Sequence, residues 1–397
     1  RHIMSLAGAH TISKTSTMNL LKEVSDFFRF FFGTPRFRKA LVFYAEHKGD
    51  YPYLEGVIKE LARRDQPFAY ISSDVCDKNA SYYSNIFAPY LMAFLNARVC
   101  VMTMSDLDQL SIRRSANPAH YIYVMHTLVS THRTYRQNAL DAYDTIFCGG
   151  PHQVAEIRKR EETQGLKPKT LVETGYYRLE RVYVAYQRYQ ANMPYKEKTT
   201  VLIAPSWGEK NMLEAHGAHL IKTLLHHGYK VIVRPHPETV RRSPMLIEAF
   251  RTQFGGNPLF VLETSIASDE SLLRADVLIC DMSGVALEYA FGTERPVLFL
   301  DVPLKVINPN FHELGIEPFE LMIRPQIGKI ISPEKIDTID AEIKNFLAQK
   351  SQWRDRLRAL RAQHVFAFGR SSQIGADYIM NLLQISSRTR EKAYNEI

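Results

Sequence analysis

The 397-residue sequence predicts an α/β protein made of two Rossmann-like, doubly wound halves, preceded by an amphipathic helix. Two observations carry that prediction. Short apolar, β-branched runs alternate with helical stretches from Ala40 onward, pause around Arg178–Lys198, and then start again. The runs do not alternate in polarity, as expected of strands in parallel sheets covered on both faces. In such sheets ligands sit beyond the carboxyl ends of the strands. The residues best suited to chemistry here, Arg234, His236, Ser283 and Gly284, fall at such ends.

Taken in order, Arg1–Met4 reads as a vector remnant, and residues 1–38 hold a tail and the amphipathic helix. Leu20–Phe32 has five phenylalanines in Phe27–Phe32 and is framed by Lys22, Arg29, Arg36, Arg38 and Lys39. Aromatics with basic flanks suit a membrane surface, and they equally suit a helix packed on its own domain. The first half, residues 39–190, offers strands at Leu41–Ala45, Phe68–Ser72, Arg98–Met104, Tyr121–Met125, Asp144–Cys148 and Thr170–Thr174. Helices are expected between them at Tyr53–Arg64, Asn85–Leu95 and His152–Thr163. The second half, residues 191–365, offers Thr200–Ala204, Lys230–Arg234, Leu259–Leu262, Val277–Cys280 and Val297–Leu300, with helices near 209–227, 240–254, 268–274 and 284–292. After Pro303 the chain reads as loop until Ser332-Pro333, a helix start. Residues 366–397 read as a helix returning towards the first half. Two such halves in tandem predict a cleft between them.

The composition narrows the classes. A formal net charge of +8 and a pI near 9.1 are spread along the chain with no run of five basic residues. That distribution suits an anionic substrate or membrane surface and argues against nucleic acid. Cys76, Cys100, Cys148 and Cys280 are far apart, with no metal-ligand spacing, which predicts free thiols, no metal and a cytoplasmic location. No apolar run reaches the length of a membrane span. Gly-x-Gly-x-x-Gly, the Walker loop, Gly-x-Ser-x-Gly and His-Glu-x-x-His are all missing. Asp106-Leu107-Asp108 has the spacing of a metal-binding pair, but Ser105 before it reads better as a helix cap.

The remaining candidates cluster at strand ends. Asp281-Met282-Ser283-Gly284 leads from a strand into a helix, an arrangement suited to a diphosphate because the amides of a first helical turn are free. Arg234-Pro235-His236-Pro237 adds a cation and an imidazole whose backbone the prolines fix. Glu288, one turn into the helix, could reach a ribose hydroxyl or serve only to cap its own neighbourhood. Ser206 and Trp207 follow the first strand of the second half and sit at the expected cleft edge. His126, at the end of a first-half strand beside Thr127, is a candidate general base, since imidazole titrates near neutrality. Gly149-Gly150-Pro151-His152 reads as a turn in which glycine supplies unusual backbone angles. Arg370 and Ser371 open the last helix as candidate acceptor-phosphate contacts.

Across residues 40–385 the pattern resembles the CDP-glycerol glycerophosphotransferase family, the teichoic-acid primase and polymerase type. The family's His-Gly-Thr stands here as His126-Thr127-Leu128, its Arg-Pro-His-Pro as Arg234–Pro237, and its Asp-Tyr-Ser-Ser as Asp281–Gly284 followed by Glu288. Glu173–Leu179 is similar to its Thr-Gly-x-Pro-Arg turn and Phe368–Ser372 to its Asp-Gly-x-Ser turn. The resemblance implies a GT-B fold and transfer of a polyol phosphate from a CDP-activated donor to a hydroxyl in a cell-surface polymer, without a cofactor. It implies His126 as base, His236 as a second catalytic group, and CDP held by the second half. The acceptor would be a hydroxyl- or phosphate-bearing group, free or lipid-linked, and the enzyme would be cytoplasmic or peripheral on the inner face of the cytoplasmic membrane. Two other readings stay open: a glycosyltransferase using a CMP- or UDP-activated sugar, and a non-enzymatic scaffold that recruits partners at a membrane.

Overall fold

The computed structural model describes residues 14–193, 197–208, 210–265, 268–303 and 307–395, so the Arg1–Met4 remnant lies outside them. The strands are β1 (Leu41–Ala45), β2 (Ala69–Ser72), β3 (Tyr82–Tyr83), β4 (Val99–Met102), β5 (His120–Val124), β6 (Thr145–Cys148) and β7 (Thr170–Glu173). They are followed by β8 (Thr200–Ile203), β9 (Lys230–Val233), β10 (Phe260–Leu262), β11 (Val277–Cys280), β12 (Val297–Leu300) and β13 (Gly328–Ile331). One sheet has the order β3-β2-β1-β4-β5-β6-β7 and the other β10-β9-β8-β11-β12-β13. The predicted α/β class with two parallel sheets is the observed one. β8, β11 and β12 are buried along their whole length, which is why they read as unbroken apolar runs.

In the second sheet the strand order reverses between β8 and β11, paired with Val277 opposite Val201 and Ile279 opposite Ile203. Loops leaving the carboxyl ends of two such strands diverge and open a crevice. The segments concerned are Pro205–Gly208 and Asp281–Gly284.

By packing, the chain divides into two compact units. The first holds the residues through Val124, Leu140–Thr145 and the chain from Ala376 on; the second holds Met125–Ala139 and Ile146–Gly375. This differs from a boundary near residue 190, and one contact explains much of the difference. The helix Tyr177–Ala191 lies so close to the helix Val285–Thr293 that a Cβ at Gly292 would stand 2.6 Å from Val182 Cγ1. The pause at Arg178–Lys198 thus opens with a helix that belongs to the second unit's core. Residues 125–139 also belong to that unit, so His126 follows a strand of the first unit in sequence but is itself part of the second.

In the first unit, the helix Lys14–Phe28 runs on into a wide turn, Arg29–Gly33. Glu23 accepts hydrogen bonds from the amides of Asn85 and Phe87, and Asp26 accepts one from Tyr83. These fasten the helix to the unit and split the phenylalanine cluster. Phe30 is buried edge-on against Tyr82, with ring centroids 5.3 Å apart, while Phe28 and Phe32 are 56% and 81% exposed. The helix from Ser371 extends to Asn395, past the expected end at Ile385, and its later part is tied in by Tyr378–Thr145 and Arg98–Leu383 hydrogen bonds.

Two further expectations change. No helix follows Ser105; Asp106 and Asp108 instead take positive φ of 67° and 66°, and Asp108 accepts a hydrogen bond from the Arg114 amide. The stretch after Pro303 contains a helix, Phe319–Ile327, and the edge strand β13. Pro325 inside that helix and Gly328 directly after it hid both from a reading based on period.

The Gly292–Val182 contact can be tested in stability. Gly292→Ala should cost about 1–3 kcal/mol by overpacking. Denaturant unfolding of Gly292→Ala, Val182→Ala and the double variant should show the pair costing less than the sum of the singles.

Candidate functional site

β5 ends at Val124, and the next residues leave the sheet without entering another one. Their backbone groups still need partners, because an unpaired buried peptide group costs as much as a lost hydrogen bond. Side chains of the second unit supply them in succession. The Tyr176 hydroxyl lies 2.9 Å from the His126 carbonyl oxygen, and Gln153 Nε2 donates to the carbonyls of Thr127 and Val129. His152 Nε2 is 2.7 Å from the Leu128 carbonyl, Glu320 accepts from the Ser130 amide, and Glu156 accepts from both the amide and the hydroxyl of Thr131. Asn308 Nδ2 donates to the His132 carbonyl. The His126–His132 loop is thus held group by group.

The charges in this clamp are paired. Glu320 also binds Arg133, and Glu156 stands 3.5 Å from His132 Nδ1. Burial alone would raise Glu156, but hydrogen bonding and attraction from His132, with His152 and Thr131, hold it below its ordinary value. His152 stacks on Phe319 with ring centroids 3.9 Å apart, and burial pushes its pKa down, favouring the neutral ring that the stack needs. The glycines before it serve a purpose other than unusual angles. Gly150 is extended, and a Cβ there would stand 2.1 Å from the His364 carbonyl oxygen, so the requirement is close approach.

At the switch point of the second sheet, buried Asp281 accepts from the amide and the hydroxyl of Ser206, each at 2.8 Å, and so ties the two diverging loops together. The Ser206 proton is committed there, and a ligand would meet that hydroxyl through its lone pairs. The helix Val285–Thr293 begins just beyond, with Gly284 at its start and no side-chain cap; the Ala286 and Leu287 amides already donate to the Ser283 and Gly284 carbonyls, so the helix start favours an anion chiefly through its dipole.

The two loops meet. A Cβ on Gly284 would lie 3.0 Å from Thr127 Oγ1 and 3.8 Å from Val129 Cγ1. A second tie runs through Tyr176, whose hydroxyl is 2.8 Å from Glu288 Oε1 as well as near the His126 carbonyl; it donates its single proton to one of them at a time. Arg178 Nε stands 3.4 Å from Glu288 and clasps Asp269 with two hydrogen bonds. Burial opposes the Arg178 charge, but Glu288 and Asp269 outweigh it and raise its pKa above the ordinary guanidinium value. Glu288 is therefore already engaged by protein groups. His126, Thr127, Gly284 and Glu288 form one neighbourhood.

His236, Trp207 and Arg242 form another. His236 Nδ1 accepts the Glu238 amide hydrogen, so the ring carries its proton on Nε2 and serves as a donor. Trp207 lies 6.1 Å from that ring, with the Arg242 guanidinium 4.6 Å from the indole. Arg234 is buried and donates to Ser271 Oγ at 3.0 Å. The last helix contributes less than expected. Arg370 is exposed, but Ser371 is buried at 4%, where Glu180 accepts the amides of Gly369 and Ser371 and caps the helix. Ser371 faces the Gly175 turn, at φ 86°, and not a surface open to an acceptor. Among the described residues no group of three or more His, Cys, Asp or Glu could hold a metal ion.

Gln153, Glu156, Tyr176 and Glu320 were not singled out in the sequence. Tyr176 sits in a recognisable turn, but the other three lie within ordinary helices and carry no local signal.

The depressed His152 pKa predicts a pH-dependent stability. The unfolded chain binds a proton at about pH 6.5. The folded chain binds it lower, so stability should fall as pH drops from that value and level off below the folded pKa. Urea midpoints between pH 8 and 5 should show this loss, and His152→Phe should flatten that component.

No curated protein matches the sequence. Among solved structures, the wall teichoic acid polymerase TagF with CDPG is similar, at TM-score 0.60 and 18% identity over 94% of this chain and 93% of that chain. The UDP-GlcNAc 2-epimerase of Methanocaldococcus jannaschii with UDP-GlcNAc and UDP gives TM-score 0.57 and 12% identity over 86% and 99%. At these identities the likeness is one of fold. The family model described as CDP-Glycerol:Poly(glycerophosphate) glycerophosphotransferase matches residues 62–306, well over half of the sequence, and the chain belongs to that family.

Proposed function

We propose that this transferase moves a polyol phosphate by in-line displacement, with His126 as the base. Transfer from a CDP-activated donor to a hydroxyl acceptor in cell-surface polymer synthesis is the activity of the family to which the chain belongs. In the proposed step, the acceptor oxygen forms a bond to the donor's β phosphorus while His126 takes its proton. The bond from that phosphorus to the bridging oxygen breaks, and CMP departs with the electron pair. Phosphoryl transfer asks mainly for alignment and for stabilisation of charge on the equatorial oxygens. The Ser283–Gly284 helix start and the Nε2 proton of His236 supply the donors, and Trp207 provides a flat face for the base. The observation that carries this reading is the contact of the His126–Thr127 loop with Gly284. It sets an imidazole-bearing loop against a helix start able to hold phosphate.

The experiment is His126→Asn. Turnover of a CDP-polyol should fall about 10²–10⁴-fold, the usual contribution of a general base. CDP should raise the melting temperature of the variant and the parent alike. Turnover at the parental rate would remove His126 from the base role.

The acceptor side has its own support. Met18, Leu21, Phe28 and Phe32 recur at helical spacing and are all exposed, next to exposed Arg36 and Arg38. No helix among the described residues is long and apolar enough to cross a membrane. We infer that this stripe rests on an anionic lipid surface and brings the enzyme to a lipid-linked acceptor. Phe28→Ser/Phe32→Ser should weaken binding to vesicles containing phosphatidylglycerol by about tenfold or more, given the apolar area each ring buries. Unchanged co-flotation would contradict it.

A further inference from the structure

The helix Phe319–Ile327 touches both loops of the site. At its start, Glu320 accepts the Ser130 amide at 2.8 Å and pairs with Arg133, while the Phe319 amide donates to Ser130 Oγ. One turn later, Arg324 lies over the Phe299 ring with Nη1 3.1 Å from Met282 Sδ, and it stands 3.4 Å from Asp301. Glu320 and Arg324 are 4% and 5% exposed, so neither can make these contacts by reaching through water. The base loop and the Asp281–Gly284 loop therefore hang from adjacent turns of one short helix.

We propose that Glu320 is a positioning residue for the transfer step. It fixes the backbone two peptides beyond the Thr127–Gly284 contact, and through it the helix sets how far the imidazole stands from phosphate held at the Ser283–Gly284 helix start. The inference rests on His126 acting as the base. Glu320 touches no substrate; it acts through the peptide it holds. A carboxylate is required because its two oxygens accept from an amide and a guanidinium together, which a neutral amide side chain cannot reproduce. Misplacement of a reacting group by about 1 Å can cost about 10²-fold in rate. Binding of the donor nucleotide, which does not depend on the base loop, should be little affected.

The test compares Glu320→Gln with Glu320→Gln/Arg133→Met, in which no buried guanidinium is left stranded. The readouts are kcat and KM with a CDP-polyol, CDP affinity by calorimetry, and melting temperature. The double variant should regain much of the melting temperature lost by the single one. It should still show kcat reduced about 10²-fold, with CDP affinity within about twofold of the parent. Parental kcat in the double variant, with His126→Asn inactive, would overturn the positioning role and leave the base assignment standing. Loss of kcat and CDP affinity together, in step with melting temperature, would also overturn it, marking Glu320 as merely structural. If His126→Asn itself turned over at the parental rate, the base assignment would fall first and this inference with it.

Discussion

The site depends on side chains doing for a loop what neighbouring strands do for a strand. From His126 to His132 the backbone is bound by Tyr176, Gln153, His152, Glu320, Glu156 and Asn308, most of them buried. Each bond adds only about 1 kcal/mol net, but leaving its peptide group buried and unpaired costs more. The loop therefore has one well-satisfied conformation and many poor ones. Rigidity near a reacting group follows from that asymmetry without any single strong contact.

Such a clamp brings several carboxylates into the interior, and each is paid for by a partner. Glu320 has Arg133, Glu156 has His132 and the Thr131 donors, Asp281 has Ser206, and Asp269 has Arg178 and Arg181. Buried pairs of this kind add little net stability, since desolvation offsets attraction, but losing one partner strands the other. They are better understood as constraints on geometry. Arg178 and Tyr176 extend the same network to Glu288 on the helix that starts after the Asp281–Gly284 loop.

How much of this could be read in the sequence follows from the range of the interactions. β1, β11 and β12 have the predicted limits, because burial on both faces writes itself as an uninterrupted apolar run. The strand-end positions of His126, His236 and Ser283 were equally visible, since motif and strand end coincide. β13 and the helix Phe319–Ile327 were obscured by Pro325 and Gly328. Glu320 could not be found, because its meaning lies in a hydrogen bond to Ser130, far away in the chain. Ser371 looked like a surface hydroxyl because nothing local shows that Glu180 would cover it. The compact units divide the chain elsewhere than the boundary expected near residue 190, because contacts such as that of Gly292 with Val182 join segments that each look self-contained.

Thr127 and Gly284 share one small volume, and that links their histories. In the motif that the chain resembles, glycine follows the histidine and serine ends the phosphate loop; here the bulk has changed sides, with the β-branched residue on one loop and the bare Cα on the other. With 3.0 Å between the hydroxyl and the place of the missing Cβ, a side chain at 284 beside threonine at 127 would require that hydroxyl to give way by a few tenths of an ångström. The two positions therefore share one packing constraint, and a change of bulk at either is felt by the other.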